Sequence, residues 1–208
     1  MTLSASEVNK LKHAPAVEGV LPAVHGRWSA RAFEAREVGA EDLKKLFEAA
    51  RWAPSSANEQ PWRFVVGVRG ARTHEILAES LMGFNKLWAS KAPVLVVGVG
   101  QKHFAGNGKA NAYALYDLGA ATMQLVLQAH VLGLTSHQMG GFDRGVLREK
   151  LGIPEEYEFG AVVALGYQAE PASLGDETLI AREVAPRSRK PLEELVFGEW
   201  GEPAEFVR

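Results

Sequence analysis

The stretch that most constrains the fold is residues 113–132, because its twenty positions contain one formal charge, Asp117. No other charged residue occurs between Lys109 and Asp143. A run this long and apolar is typical either of a membrane span or of a helix that is buried on all sides. No basic flank marks a cytoplasmic side, and polar side chains interrupt the run, so the sequence favours the buried helix. These polar residues are Gln124, Gln128 and His130.

Burying such a helix on every side is difficult within one chain of 208 residues. A second subunit would cover one face of the helix more easily than the rest of the same chain could. The small residues Gly119, Ala120 and Ala121 would let another backbone approach closely. The sequence therefore predicts a homodimer with this helix at its centre.

Composition limits the partners and the chemistry of the chain. The formal net charge of −2 gives no electrostatic reason to expect nucleic acid or an anionic membrane as a partner. The chain has no cysteine, which excludes disulfides, thiolate nucleophiles, iron–sulfur clusters and cysteine-type zinc sites. The N-terminus lacks a basic region followed by an apolar run, so we expect no signal peptide and a cytoplasmic location.

The remaining pattern predicts a single α+β domain over residues 1–208, because helical and strand-like segments alternate without a linker or repeat. Apolar residues at helical spacing predict helices after Ser4, after Gly39, over residues 73–87 and over residues 146–151. Short apolar runs predict strands over residues 62–68, 94–99 and 159–167, with an extended piece at 134–139. Residues 191–208 are predicted to form an extension that packs on the partner subunit.

Several common catalytic motifs are missing from the sequence. No Gly-x-Gly-x-x-Gly opens a helix after a strand, no Walker A loop is present, and no Gly-x-Ser-x-Gly elbow occurs. The six histidines show no metal-ligand spacing, so neither a metal site nor a catalytic side chain is predicted. If the chain is an enzyme, its difficult chemistry therefore belongs to a cofactor.

Two clusters of cations are candidates for binding a phosphate group. Arg27 and Arg31 stand four residues apart around Ser29, so on a helical turn they would share one face. Arg187, Arg189 and Lys190 form a second cluster near the C-terminus. Guanidinium groups suit a phosphate because they donate two hydrogen bonds at once. Each cluster taken alone is more typical of a solvated basic surface.

Two further segments combine small residues with hydrogen-bonding ones. Pro54-Ser55-Ser56-Ala57-Asn58 follows a predicted helix and leads into Gln60-Pro61-Trp62. Gly140-Gly141 follows the predicted extended piece. Both segments have the composition of ordinary turns. Both could also bring backbone N–H groups close to a ligand, most easily at the glycines, which lack a Cβ.

The four segments taken in order resemble the nitroreductase family across residues 20–196. The resemblance rests on Arg-Trp-Ser-Ala-Arg from Arg27, on Ala-Pro-Ser-Ser-Ala-Asn-Glu-Gln-Pro-Trp from Ala53, on Met-Gly-Gly-Phe from Met139 and on Arg-Ser-Arg-Lys-Pro-Leu from Arg187. It implies an α+β fold with a mixed central sheet flanked by helices. It also implies an intertwined homodimer with two FMN sites at the interface.

The resemblance assigns the cationic segments to one end of the flavin. Arg27, Ser29 and Arg31, with Trp28 between them, would contact the phosphate, the ribityl chain and the pyrimidine edge of FMN. Arg187 and Arg189 would hold the phosphate from the same subunit.

The resemblance assigns the isoalloxazine ring to other residues, some from the partner subunit. The partner would place four residues against the ring and ribityl chain: Pro54, Ser55, Ser56 and Asn58. Gly140 and Gly141 would place a backbone N–H at flavin N5, with Met139 against the ring. Asn85 would meet the pyrimidine edge, and Asp117 would approach the flavin.

Two positions depart from the pattern of the family that the chain resembles. Trp28 stands where that family usually has Arg or His, which would alter contacts at the ring edge or simply add packing. Trp88, three residues after Asn85, stands where a basic residue is common. Loss of a cation near N1 and O2 would stabilise the anionic reduced flavin less, so we expect a lower redox potential. A measured midpoint potential well above that of free FMN would contradict this expectation.

The resemblance also implies the reaction. NADH or NADPH would deliver hydride to flavin N5 and leave, and an electron-poor small molecule such as a nitroaromatic or quinone would then take the electrons at the same site. The loop of residues 101–110 is a candidate wall for that site. Alternatives are another flavin reaction on the same fold, such as reductive dehalogenation or an oxygen-dependent reaction, and a flavin-binding protein without turnover.

Overall fold

Four strands form the central sheet of the computed structural model, which describes residues 3–208. They are β1 (Trp62–Val68), β2 (Val94–Gln101), β3 (Thr135–Met139) and β4 (Tyr157–Gly166). Their order is β1–β2–β4–β3, and each neighbouring pair is antiparallel. The parallel pairing expected of a mixed sheet is limited to an isolated bridge between Ser29 and Ser136, at the β3 edge. All four predicted extended segments are confirmed.

Helices cover both faces of this sheet. Within residues 3–208 they are α1 (Ala5–Lys12), α2 (Pro22–Gly26), α3 (Ala40–Arg51), α4 (Arg72–Ser80), α5 (Ala114–Val131), α6 (Arg144–Leu151) and α7 (Glu177–Val184). The capping box predicted for the first helix is present, since the side chains of Ser4 and Glu7 each accept from the other residue's backbone N–H.

The buried strand β2 divides the core into two halves because alternate side chains point to opposite faces. Leu95 and Val97 pack on the side of α4, α6 and α7. Val94 and Val96 pack on the side of α3 and α5. The result is a three-layer arrangement in which the sheet is enclosed by helices.

The long apolar helix is confirmed as α5, but within this chain it is buried on one face alone. Leu118, Ala121 and Leu125 are buried against α3 and the sheet. On the outer side, Tyr116 is 77% exposed, and a side chain added at Gly119 would meet only open space. No helix in the described part of the chain combines the length and hydropathy needed to cross a membrane.

The helix predicted over residues 73–87 is wrong in its second half. α4 ends at Ser80, and the extended residue Leu81 pairs with Phe142. Gly83, at φ +54°, then begins a short 3₁₀ helix, Gly83–Leu87. The chain leaves the helix there because Met82 N–H donates to the Gly141 carbonyl at 3.1 Å. This exit brings Asn85 next to Gly141.

The C-terminal segment forms a small hairpin from β5 (Phe197–Glu199) and β6 (Glu202–Pro203). Trp200 at its tip is 94% exposed, and Phe206 beyond it is also exposed. Packing of residues 191–208 on a partner subunit stays a prediction.

Candidate functional site

A pocket of about 230 Å³ gathers the arginines of both predicted cation clusters, whereas Lys190 lies outside it. It lies between the segment that follows α2, the C-terminal end of α1 and the segment that follows α7. Six cationic side chains line it and no carboxylate does: Lys12, Arg27, Arg31, Arg182, Arg187 and Arg189. The lining is completed by Trp28, Ser29, Ala185 and Pro186. We call this cavity the basic pocket.

A buried carboxylate fixes the arginine segment at the base of the basic pocket. Glu183 on α7 is fully buried and accepts from the backbone N–H groups of Arg31 at 2.9 Å and Ala32 at 3.1 Å. Its other oxygen lies 3.6 Å from the Arg31 guanidinium. Because this contact links residues about 150 positions apart, it holds the two predicted clusters side by side.

Arg187 is anchored by backbone carbonyls on the opposite wall. One guanidinium nitrogen donates to Lys12 O at 2.7 Å and to His25 O at 3.0 Å. A guanidinium carries five donors, so this anchoring leaves capacity for a further acceptor. The arginine is therefore oriented before any ligand arrives.

Like charges crowd the basic pocket. Burial, followed by the nearby charges of Arg187 and Arg189, lowers the pKa of Arg27. Burial and then Arg189 lower the pKa of Arg187. A phosphate monoester carries between one and two negative charges near neutral pH and accepts several hydrogen bonds. The donor set fits such a group, which would offset the repulsion among the arginines.

Trp28 lies behind the arginines with its ring largely buried. Its indole Nε1 donates to Asn9 Oδ1 on α1 at 2.8 Å, and the ring packs with Val8 and Ala30. Of the two roles predicted for this departure, the packing role agrees with these contacts. A contact between Trp28 and the flavin ring edge stays a prediction, since the residue also lines the basic pocket.

Residues 54–60, which we call the serine loop, have a strained backbone. Ala57, Asn58 and Gln60 have φ values of 52°, 55° and 51°, and they are the non-glycine residues with positive φ in the described part of the chain. Such a conformation is uncommon for residues with a Cβ, and it persists where the surroundings enforce it. Here Gln60 N–H donates to Ser55 Oγ at 3.0 Å.

Asp117 provides a second support for the serine loop. This carboxylate is buried at the start of α5 and accepts from Ser56 N–H at 3.0 Å. The single charge of the apolar helix therefore positions the predicted flavin-contacting loop of its own chain. Direct contact between Asp117 and the flavin stays a prediction.

The loop after β3 places the predicted N5 donor. Asn85 Nδ2 donates to Gly141 O at 3.2 Å, and a Cβ at Gly141 would clash with that amide. A Cβ at Gly140 would meet only open space, so its backbone is approachable. Met139 is different, because its side chain is 3% exposed and packs in the core. β3 points this side chain into the interior, and the predicted contact between Met139 and the flavin ring stays a prediction.

Trp88 also belongs to the core. It stacks on Phe33 and lies 4.6 Å from the His137 ring, measured between centroids. Burial lowers the pKa of His137 to about 4, although its Nδ1 hydrogen-bonds Ala30 O at 3.0 Å. Trp88 is therefore a buried core residue, and the lower redox potential expected from it stays a prediction.

The two groups of predicted site residues do not meet in one chain's basic pocket. Neither the serine loop nor Asn85 and Gly140 line that cavity. The serine loop instead contacts the loop of residues 101–110, which is the candidate wall of the substrate site. Ala105 N–H donates to Glu59 Oε1 at 2.6 Å.

Sequence reasoning missed three residues around the basic pocket: Lys12, Arg182 and Glu183. These residues reach the basic pocket through contacts between positions 150 or more residues apart, and no local sequence motif predicts such contacts. The one available signal for Lys12 is its place in the basic last turn of α1.

Known proteins share both the sequence and the fold. The model of the nitroreductase family matches residues 24–87 and 67–167. An Archaeoglobus fulgidus protein, named an NADH dehydrogenase/NAD(P)H nitroreductase, is 33% identical over 159 residues, covering 73% of this chain and 86% of the relative.

Two solved structures extend the likeness. The crystal structure of an oxidoreductase containing FMN has a TM-score of 0.83 at 36% identity, covering 89% of this chain and 94% of that one. A nitroreductase of Desulfovibrio desulfuricans in complex with FMN has a TM-score of 0.70 at 26% identity, covering 88% and 98%. The chain belongs to the nitroreductase family.

Proposed function

We propose that the chain is an FMN-dependent oxidoreductase that takes hydride from NADH or NADPH and passes it through flavin N5 to a nitroaromatic or quinone. The observation that carries the proposal is the basic pocket, in which six cations and no carboxylate face one cavity. Family membership and the FMN named for both solved relatives support the same cofactor. The name of the archaeal relative supports NADH or NADPH as the reductant.

The residues of the basic pocket would hold the phosphate end of the cofactor. Arg27, Arg187 and Arg189 would neutralise its charge, while Ser29 and Arg31 would continue toward the ribityl chain. Gly140 would offer its N–H at the edge of the ring. When bound, FMN would supply the two-electron chemistry that no side chain of the chain provides.

A second copy of the chain would complete each site. The outer face of α5 continues into an apolar groove of about 530 Å³ between α2, α3 and α5. Its lining includes Leu21, Trp52, Leu127 and Val131. An exposed apolar surface of this kind marks an interaction site. With this face paired in a homodimer, the serine loop of one protomer would reach the basic pocket of the other.

The two substrates would use one site in turn, which is a ping-pong reaction. The hydride donor and the electron acceptor both have to reach the same face of the ring, so one leaves before the other binds. The loop of residues 101–110 would form part of the wall of that site, positioned by the hydrogen bond from Ala105 to Glu59. Its shape would then select the acceptor.

A spectroscopic experiment tests the proposal directly. Purified protein is expected to be yellow, to lose its colour anaerobically on addition of NADH or NADPH, and to regain it on addition of a nitroaromatic or quinone. Bleaching that only oxygen or a halogenated aromatic reverses would indicate another flavin reaction. Colour without bleaching would indicate a flavin-binding protein without turnover. A colourless protein that FMN cannot reconstitute would contradict the proposal.

A further inference from the structure

We propose that Lys12 is a further phosphate-binding residue of the cofactor site, so that the N-terminal helix α1 is part of that site. This inference rests on the proposed function. α1 lies outside residues 24–167, which the model of the nitroreductase family matches.

The position of Lys12 is the first argument. Its side chain is 5% exposed and lines the same cavity as Arg27, Arg187 and Arg189. The ammonium donates to the carbonyl oxygens of Ala185 and Arg182, in the segment that leads to Arg187. An ammonium group has three donors, so these two contacts leave one for a ligand in the cavity.

Reciprocal anchoring is the second argument. Lys12 donates to the backbone just before Arg187, and Arg187 donates to the backbone carbonyl of Lys12 at 2.7 Å. The end of α1 and the phosphate-binding segment therefore lock each other in place. Each side chain therefore binds the backbone of the segment that carries the other.

Contact with Trp28 is the third argument. The helix that anchors Trp28 through Asn9 also places the Lys12 ammonium 4.9 Å from the centre of the indole ring. Helix α1 therefore holds the Lys12 ammonium against an aromatic residue that lines the same cavity.

The electrostatics of Lys12 agree with a role toward an anion. Burial is the main cause that lowers its pKa, Arg31 and Arg187 lower it further, and Glu183 opposes them. Glu183 is already occupied by the Arg31 and Ala32 backbone. A phosphate in the cavity would reverse the unfavourable balance around this buried ammonium.

The test compares FMN with riboflavin, which has the same ring and ribityl chain but no phosphate. Wild-type apoprotein, Lys12→Met and Lys12→Arg are titrated with each flavin, and quenching of flavin fluorescence gives Kd. Lys10→Met is the matched control, because Lys10 lies on the same helix and is exposed. Circular dichroism and thermal melts confirm that each variant folds.

Lys12→Met is expected to weaken FMN binding by roughly 10-fold or more, the effect of losing a charge-assisted hydrogen bond. Riboflavin binding should stay within about 2-fold of wild type, Lys12→Arg should restore most of the FMN affinity, and Lys10→Met should change neither. Equal losses for both flavins, or no loss for FMN, would overturn the inference while leaving FMN binding by the wild type intact. Wild-type protein that binds neither flavin would instead overturn the proposed function, and the inference with it.

Discussion

In the proposed cofactor site, the basic pocket and the serine loop would bind the same ligand by different physical means. In the basic pocket, charge is concentrated: five arginines and a lysine face one cavity on a backbone without positive φ at non-glycine positions. In the serine loop the charge is low and the backbone is strained, with positive φ at Ala57, Asn58 and Gln60. The first arrangement acts through electrostatic attraction and the second through shape.

This difference explains how each region depends on the rest of the fold. The charges of the basic pocket come from three segments distant in sequence; Glu183 joins α7 to the Arg31 segment, and Lys12 joins α1 to the segment before Arg187. The serine loop is short, and its conformation depends on Asp117 of the helix whose other face is exposed. We therefore expect salt to weaken ligand binding through the basic pocket, and subunit contacts to control binding through the serine loop.

The largest loss of FMN binding is expected from separating the subunits of the proposed homodimer. Gly119→Arg places a long charged side chain on the exposed face of α5, where one protomer leaves open space. The variant is expected to be a folded monomer that retains almost no FMN, because the serine loop and the basic pocket would no longer meet. Light scattering and flavin content measure this result. Glu149→Arg, on the exposed side of α6, is the control and should remain dimeric. A monomeric variant that keeps full FMN content would show that one chain suffices.

The second largest loss of FMN affinity is expected from removing arginine charges from the basic pocket. The double substitution Arg27→Ala, Arg189→Ala is expected to weaken FMN binding by about 100-fold or more, since each lost charged hydrogen bond accounts for roughly 10-fold. The remaining affinity should respond less to salt than wild-type affinity does. Titrations at two ionic strengths measure both effects. Lys190→Ala, an exposed cation paired with Glu194, serves as the control. Unchanged affinity in the double variant would exclude the basic pocket as the phosphate site.

Increasing the backbone strain of the serine loop is expected to change FMN affinity by about 10-fold. Ala57→Val places a β-branched residue at φ 52°, which is a strongly disfavoured conformation, and is expected to weaken FMN binding by about 10-fold. Ala57→Gly is the matched variant and should bind FMN about as well as wild type, because glycine adopts positive φ without strain. Neither variant should change the salt dependence. A change in the salt dependence of FMN binding in either variant would contradict the view that the serine loop acts through shape and the basic pocket through charge.

The smallest expected effect is on the free energy of unfolding at acid pH, and it comes from the buried residue His137. Because the pKa of His137 is lowered to about 4, the unfolded chain takes up its proton first as pH falls from about 6.5. This histidine therefore stabilises the fold above that pH, and the contribution is lost as pH falls toward 4. Between pH 7 and pH 5.5 the loss should be about 1 kcal/mol.

Urea unfolding at pH 7 and pH 5.5 measures this loss of unfolding free energy. His137→Asn, whose amide can still donate to Ala30 O, should lose about 1 kcal/mol less than wild type over that interval. His103→Asn, at an exposed position, should behave as wild type does. Equal pH dependence in wild type and His137→Asn would contradict the assignment.

The parts that the sequence predicts well are those encoded by local pattern. β2 and α5 have apolar runs of distinct length, so their type and position follow directly. The order of Arg27, Ser29, Arg31, Arg187 and Arg189 likewise predicts a common cavity, and all five line the basic pocket.

The parts that the sequence does not predict depend on tertiary contacts. The exit from α4 after Ser80 is set by pairing with residues 141 and 142. Met139 points inward because of the sheet face to which its strand assigns it. Lys12 and Glu183 reach the basic pocket through contacts that span more than 150 positions. No local pattern contains this information.

The central claim is that each cofactor site combines the basic pocket of one protomer with the serine loop of the other. Mixed dimers test it most directly. One chain carries Arg27→Ala, Arg189→Ala, and a differently tagged chain carries Ala57→Val; the tags allow the mixed dimer to be isolated by sequential affinity steps. If each site is shared between subunits, one site of the mixed dimer combines the altered basic pocket with the altered serine loop. The other site combines the unaltered basic pocket with the unaltered serine loop.

Titration of the isolated mixed dimer with FMN gives the stoichiometry of tight binding. A site shared between protomers predicts one FMN bound per mixed dimer with wild-type affinity. Weakened binding at both sites, with none at wild-type affinity, would show that each site lies within a single chain and would contradict the account.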